Sequence, residues 1–174
     1  MAVTRRRRST RWTPAAIPIG LLLMLLGAWT FFVPLVGPYF GYGFFTNNTW
    51  TFSGIHWELM LGTGILMFVG GLLMTMPAAP FGSFGGLLTL AAGVWLLVGP
   101  SIYPLWGARV GIATPHGQTL RTLLWIGYFY GSGAIAVYLS ALAHGMLSRR
   151  RIVEEQPVIE ETPVERRDRI VTHV

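Results

Sequence analysis

Cysteine and lysine are both absent from this chain of 174 residues. Without cysteine there is no disulfide, no catalytic thiolate and no thiolate-ligated iron–sulfur cluster. All 13 basic residues are arginine. Physical chemistry gives no reason to exclude lysine so completely, whereas GC-rich codons favour arginine, glycine, alanine and proline together. We therefore expect the source to be a bacterium with a GC-rich genome.

Charged residues are also scarce, at 11% of the chain, where an ordinary soluble domain has about 25%. They are missing altogether from residues 12–57, 59–108 and 122–148. Apolar stretches of this length are typical of chains that lie in lipid, so the sequence predicts an integral membrane protein. The basic pI would suit nucleic acid, but the arginines flank the apolar stretches. We attribute them to membrane orientation and anionic lipid, and we expect no nucleic-acid partner.

Four stretches are long enough to cross a bilayer, which takes roughly 20 apolar residues at about 1.5 Å of helix rise each. They are predicted at residues 16–36, 57–76, 82–103 and 122–147. The predicted fold class is all-α, a polytopic membrane protein with four transmembrane helices. Its predicted parts are a basic cytoplasmic N-terminal segment (1–15), a four-helix transmembrane domain (16–148) and a disordered, charged cytoplasmic tail (149–174).

The first span has an alternative interpretation as a cleaved signal peptide, since TRRRRSTRW before it resembles a basic n-region. Its apolar run is longer than a usual h-region and no A-x-A-like site follows, so we interpret it as an anchor. Arginines lie at 5–8 and 11 before the first span and at 149–151 after the fourth, while the loop between spans one and two has none. The positive-inside rule then predicts a multi-pass protein of the bacterial plasma membrane, with both termini cytoplasmic and the two longer loops outside.

The stretches GAWTFFVPLVGPYFG (27–41) and GVWLLVGPSIYPLWG (93–107) share a frame of five residues at an offset of 66. Its two prolines are expected to end a helix and to keep it from resuming, and its last glycine permits a sharp exit. Its tryptophan suits an interfacial belt or a packing wedge. The repeated residues are Gly27, Trp29, Pro34, Pro38 and Gly41 in the first copy, and Gly93, Trp95, Pro100, Pro104 and Gly107 in the second.

A weaker match links the even-numbered spans, because LGTG at 61–64 and YGSG at 130–133 both contain Gly-[Ser/Thr]-Gly, at an offset of 69. We interpret the chain as two duplicated helical hairpins of the same orientation, not as an inverted repeat. The pattern Gly-x-Trp-x4-Pro late in the first helix of a two-helix unit resembles the SPW-repeat membrane proteins, which are small bacterial proteins of poorly known function. The Ser-Pro-Trp motif itself is replaced by VPL at 33–35 and by GPS at 99–101. The resemblance implies a fold and brings no activity.

Few ionisable residues lie at membrane depth, where such residues are functional candidates. His56 and Glu58 begin the second span, and Arg109, His116 and Arg121 follow the third. These five residues form a predicted polar cluster at the outer face. For Glu58 we favour an independently solvated interface residue; the alternative is a contact with Arg109 or Arg121 that ties the hairpins together. The two histidines are far apart in sequence and metal sites usually have close ligand spacings, so we predict no metal, no cofactor and no catalytic residue.

The first outer loop, between spans one and two, is crowded with aromatic residues. An interfacial belt is the interpretation that we favour. The alternative is a lid or a docking patch for a lipid or a partner, since clustered exposed aromatic side chains often mark a binding surface.

The chain changes character after Arg151, where EEQPVI and EETPVE repeat with a period of six. Prolines and charges of this density are typical of a disordered segment. Thr162 within EETPVE is a candidate phosphoacceptor, because a phosphate there would add nearly two negative charges.

Three classes of function remain to be compared. An enzyme is not expected, because no nucleophile, acid–base pair or metal-ligand set is apparent. The preferred hypothesis is an accessory or scaffold subunit of a larger bacterial membrane complex, in contact with the lipid bilayer and with either a membrane protein partner or further copies of itself. The alternative is a small-molecule or ion transporter or channel that works as a homo-oligomer, whose path would be uncharged because the span centres carry no charged residue.

Overall fold

The computed structural model describes residues 16–77, 79–107, 110–111 and 117–154. Within these ranges all regular structure is helical, and four helices are long and apolar enough to cross a membrane. The chain is therefore an all-α, multi-pass membrane protein. Helix α1 is Ala16–Val36 and helix α3 is Ala79–Ile102. Helices α2 and α4 each have three consecutive parts, which are Gly54–His56, Trp57–Leu61 and Gly62–Thr75 in α2, and Gln118–Trp125, Ile126–Tyr130 and Gly131–Glu154 in α4.

The predicted bounds agree with these helices to within a few residues, except at the end of α4. Helix α4 continues through residues 149–151 to Glu154, past the predicted end of the transmembrane domain at 148. Arginine is a good helix former and the next proline is Pro157, so nothing in the sequence stops the helix where the apolar run stops. The rest of the predicted tail, with Thr162, and the segment 1–15 lie outside the described residues.

Both copies of the repeated frame end a helix in the same way. Pro34 and Pro100 lie in the last turn of α1 and α3, and each helix ends two residues later. Short 3₁₀ turns follow at Gly37–Phe40 and Tyr103–Leu105, each with the second proline of the frame near its start. We call this end of the molecule the loop end. Gly41 leaves its turn with a φ of 71°, a left-handed conformation that favours glycine.

Helices α2 and α4 each contain one π turn, Trp57–Leu61 and Ile126–Tyr130. The two π turns are separated by the same offset of 69 that separates the Gly-[Ser/Thr]-Gly motifs. In each, a side chain donates a hydrogen bond to the second carbonyl of the turn. Trp95 Nε1 donates to Glu58 O at 2.8 Å, and Ser132 Oγ donates to Gly127 O at 2.9 Å. A π turn breaks the regular α-helical ladder, so such extra donors stabilise it.

Glycine pairs bring the two helices of each hairpin close together. A Cβ atom on Gly27 would lie 2.7 Å from Gly64 O, and one on Gly64 would lie 2.8 Å from Phe31 N. In the second hairpin a Cβ on Gly133 would lie 2.9 Å from Gly93 O. Gly93 and Gly133 are the counterparts of Gly27 and Gly64 at the offsets of 66 and 69. Close backbone approach of this kind is how transmembrane helices associate without a hydrophobic driving force.

The four helices pack in chain order, α1 on α2, α2 on α3 and α3 on α4, while α1 approaches α4 less extensively. Gly70 and Gly85 bring α2 and α3 together, because a Cβ on Gly70 would lie 2.7 Å from Gly85 O. Within the α3–α4 interface, the buried hydroxyls of Thr89 and Ser140 are hydrogen-bonded at 2.7 Å. The two seams between the hairpins, α2–α3 and α1–α4, therefore differ in how tightly they close.

Candidate functional site at the loop end

The segment 41–53 folds back over the loop end of the bundle and inserts one side chain into it. Phe44 is fully buried. Its ring centroid lies 5.3 Å from that of His56 on α2, and 5.5 Å and 5.4 Å from those of Tyr128 and Phe129 on α4. We call this inserted side chain the Phe44 plug. The aromatic loop is thus more than a belt, because one of its rings is part of the core.

Tyr42 holds the same loop against α4. Its ring stacks on Tyr128 with centroids 4.6 Å apart, and the Tyr128 hydroxyl donates a hydrogen bond to the Tyr42 carbonyl. Gly37 and Gly127 lie so close to Tyr42 that a Cβ atom on either would clash with it. The loop fits because these two residues have no side chain. Burial raises the pKa of the Tyr42 hydroxyl above its ordinary value, so it stays protonated at neutral pH.

His56 lies directly beneath the Phe44 plug and is fully buried. Its Nδ1 is 2.6 Å from Ser53 Oγ, at the start of α2. Its Nε2 is buried and has no hydrogen-bond partner among the described residues. An unpartnered polar atom in an apolar site is unfavourable, so this nitrogen is the least satisfied group at the loop end.

Glu58 is exposed and joins the two hairpins through indole groups. Its main-chain carbonyl accepts the bond from Trp95, and its carboxylate Oε2 lies 3.4 Å from Trp106 Nε1. In the described part of the chain Glu58 thus connects the hairpins through tryptophan donors, whereas the contact considered from the sequence was with Arg109 or Arg121. Sequence reasoning placed Trp95 in the repeated frame without finding its acceptor, and it did not single out Trp106.

The other members of the predicted polar cluster do not join Glu58 in the described structure. Arg121 is exposed in the first turns of α4, and the described ranges contain no ion pair between it and Glu58. Arg109 and His116 lie outside the described residues. Within those ranges no group of three or more His, Cys, Asp or Glu side chains is placed to hold a metal ion.

Two residues of the aromatic loop have unusual backbone conformations. Phe45 has a φ of 61° and Trp50 a φ of 54°, both left-handed conformations that are strained for bulky side chains. Each is held by a main-chain hydrogen bond, from Phe45 N to Gly111 O at 3.0 Å and from Trp50 N to Leu35 O at 3.1 Å. The loop thus adopts a constrained conformation that keeps Phe44 pointed into the bundle.

The second notable surface is an apolar groove along α1 near the loop end, which we call the α1 groove. Its volume is about 540 Å³ and it includes Trp29, Phe32, Phe40 and Tyr42 in its lining. A smaller groove of about 280 Å³ lies on the other side of Phe32, between α1 and α2. Trp29 is 53% exposed, and within the described residues its indole N–H has no acceptor. These grooves face away from the packed core.

Small residues along α4 pack inside the molecule. Ser132, Ala136 and Ser140 are buried, and Gly127 lies against Tyr42. The α1 groove, by contrast, lies on the outside of the bundle, where its tryptophan and phenylalanine side chains are half-exposed.

Comparison of the chain with protein-family models, with curated proteins and with solved structures found no match. The resemblance to SPW-repeat proteins therefore stays a prediction. The conclusion that the structure carries by itself is that this is a four-helix, multi-pass membrane protein.

Proposed function

We propose that the protein is a non-catalytic accessory or scaffold subunit of a larger bacterial membrane complex, and that it binds a partner membrane protein along α1. The observation that carries this proposal is the α1 groove. Trp29 and Phe32 are half-exposed beside it, at 53% and 50%. An apolar groove of this size is large enough to accept side chains of another helix.

The smaller groove extends the same surface towards α2. Gly27, Ala28 and Gly64 are part of its lining, and small residues let a neighbouring backbone approach closely. A transmembrane helix lying along α1 would thus meet one groove on each side of Phe32. Large side chains of the partner would fill the α1 groove, and its backbone would pass over the small residues.

The interior of one copy favours a binding role over conduction. The buried hydroxyl groups in the described helices are hydrogen-bonded within the bundle, so they form no free polar path. The bonds run from Thr30 to Leu26 O, from Thr63 to Leu59 O, from Ser132 to Gly127 O and between Thr89 and Ser140. A transporter or channel made of several copies is the alternative, and it would place its path between subunits.

We further propose that the termini are cytoplasmic and that the loop end faces outward, since arginines flank the first and last spans. The segment beyond α4 would then be available to cytoplasmic factors, and phosphorylation of Thr162 would change its charge. We also propose that the two hairpins arose by duplication, which the matching π turns and glycine pairs support.

In-cell photo-crosslinking tests the docking surface. A photoreactive phenylalanine analogue replaces Phe32 in one strain and Leu87 in a control strain. Leu87 is a matched control because it is apolar and 55% exposed, on α3. We expect Phe32 to give one discrete adduct with another membrane protein, and Leu87 to give none.

The variant Ala28→Leu sharpens the same experiment, because it fills the small groove without touching the core. It should abolish the adduct while leaving the protein level unchanged. An adduct of two copies of this chain would instead favour the homo-oligomeric transporter. Equal, diffuse labelling from both positions would show that α1 simply faces lipid and would refute the proposal.

A further inference from the structure

The buried His56 and the strained loop above it form a unit that the proposed function leaves unused. We propose that the segment 41–53 is a pH-sensitive plug, which is closed while His56 is neutral and opens when His56 binds a proton. This inference does not depend on what binds α1. It rests on the position of Phe44, the surroundings of His56 and the backbone of the loop.

The closed position suits only the neutral imidazole. The ring is fully buried beneath Phe44, and Nε2 has no acceptor among the described residues. Nδ1 has one neighbour, Ser53 Oγ at 2.6 Å, which can accept or donate. The main chain of Phe44 offers the ring a hydrogen-bonding contact that favours the cation, but burial outweighs it, so a cation in this position would be poorly compensated. Protonation therefore favours any state in which the ring meets water.

No described acidic group faces the ring from the elements packed around it. The titratable groups at this end are Tyr42 in the loop and Tyr128 on α4, both neutral phenols at physiological pH. The 3₁₀ turn after α3 contributes Tyr103. Glu58 on α2 is exposed, and its carboxylate is engaged with Trp106. The nearest counter-charge for a protonated His56 thus lies outside the buried site.

The loop has two strained residues whose conformation opening would relieve. Phe45 and Trp50, with φ values of 61° and 54°, are strained in the closed conformation and would relax on opening. The two main-chain bonds that anchor them, to Gly111 O and to Leu35 O, can exchange with water. The loop is also held by the aromatic packing of Phe44 and Tyr42, and by the main-chain bonds of Tyr42 with Gly37 O and the Tyr128 hydroxyl.

Opening would change two surfaces at once. Withdrawal of Phe44 exposes His56, Tyr128 and Phe129, whose rings all contact Phe44 in the closed state. Tyr42 also lines the α1 groove, so its departure reshapes that groove. The plug thus links the protonation of a buried side chain to the shape of an exposed surface.

The expected pH dependence follows from the exposed state. An exposed histidine titrates near pH 6.5, so the open population should rise about tenfold for each pH unit below that value until opening is complete. Above it the loop should be closed and insensitive to pH. Opening must increase as the pH falls, because the closed state binds the proton less well than the open state.

The absence of cysteine makes the measurement direct, since any introduced cysteine is the sole labelling site. Spin labels at Asn48→Cys in the loop and Leu105→Cys beside α3 report the distance across the loop end. Both positions are exposed, Leu105 at 82%. In lipid nanodiscs at about pH 7.5 we expect one short distance, and at about pH 5 a second, longer one.

Variants separate the histidine from general acid effects. His56→Gln should remain in one state at both pH values, whereas His144→Gln, at the other end of α4, should behave as the wild type. Phe44→Ala should give the long distance at both pH values. A wild-type distance that does not change down to about pH 4.5, or an acid-induced change that persists in His56→Gln, would overturn the proposal.

Discussion

Trp29 and Trp95 occupy the same position of a repeated frame, yet they have different surroundings. Trp95 is half-buried, donates to Glu58 O at 2.8 Å and stacks on Trp106 with centroids 6.4 Å apart. Trp29 is 53% exposed and lines the α1 groove. The cause lies in the neighbours, because α3 packs between α2 and α4 while α1 packs extensively on α2 alone.

The same contrast separates the two seams between the hairpins. The α2–α3 seam is closed by helix packing and by indole bonds to Glu58. The α1–α4 side is filled at the loop end by Tyr42, which stacks on Tyr128, and by Phe44. One seam is thus closed by helices and the other by a loop. The matching tryptophans therefore differ in role: Trp95 connects the two hairpins by a hydrogen bond, and Trp29 is part of an exposed surface.

Among the variants that test this comparison, glycine substitutions within the hairpins are expected to reduce stability most. Gly27→Ala would place a Cβ 2.5 Å from Phe68 N and 2.7 Å from Gly64 O, both main-chain atoms that cannot move aside. We expect a loss of about 1–3 kcal/mol of stability, the usual range for overpacking. Unfolding by SDS in mixed micelles measures it.

Two further glycines calibrate that measurement. Gly93→Ala should cost less, because its Cβ would lie 2.9 Å from the Ala136 Cβ, 3.0 Å from Val137 N and 3.1 Å from Gly133 O, all longer than the two main-chain distances at Gly27. Gly145→Ala is the control, since a Cβ there meets nothing within 4 Å. An equal loss at Gly145 would mean that the effect is not one of helix approach.

An intermediate loss of stability is expected when the two matching tryptophans are replaced, one at a time, by phenylalanine. Trp95→Phe removes the donor to Glu58 O, and hydrogen bonds between membrane helices contribute about 0.6 kcal/mol on average and up to about 1.7. Trp29→Phe removes no hydrogen bond of the described residues, so stability should stay within about 0.5 kcal/mol. The same SDS unfolding assay compares the two variants. Equal losses would contradict the asymmetry between the seams.

Much of the fold was predictable, because lipid demands long apolar helices and proline ends them in a defined way. The spans and the ends of α1 and α3 followed from those rules. The π turns did not, since the stretches 57–61 and 126–130 carry no distinctive residue pattern. The turn at 57–61 receives a tertiary donor, Trp95, and the turn at 126–130 a donor from its own helix, Ser132.

The candidate site was harder to predict for a different reason. The sequence indicated His56 and Glu58 as ionisable residues near a membrane surface, but burial decides what each can do. His56 is covered by Phe44, a residue distant in sequence from α4, with which it packs. The eight aromatic residues of the stretch 39–57 gave no sign of which one would enter the core. That choice depends on the left-handed turn at Phe45.

The smallest effect is expected from Glu58→Gln, and it distinguishes two accounts of how the hairpins are tied. If indoles make the tie, the amide oxygen still accepts from Trp106, and the main-chain bond from Trp95 is untouched. Stability should then change by about 0.5 kcal/mol or less. If the carboxylate instead pairs with an arginine of the second loop, the loss should be larger. It should also disappear at about 1 M salt, where the Debye length is only about 3 Å. SDS unfolding at low and high salt decides between them, because a tie made by neutral donors does not respond to screening.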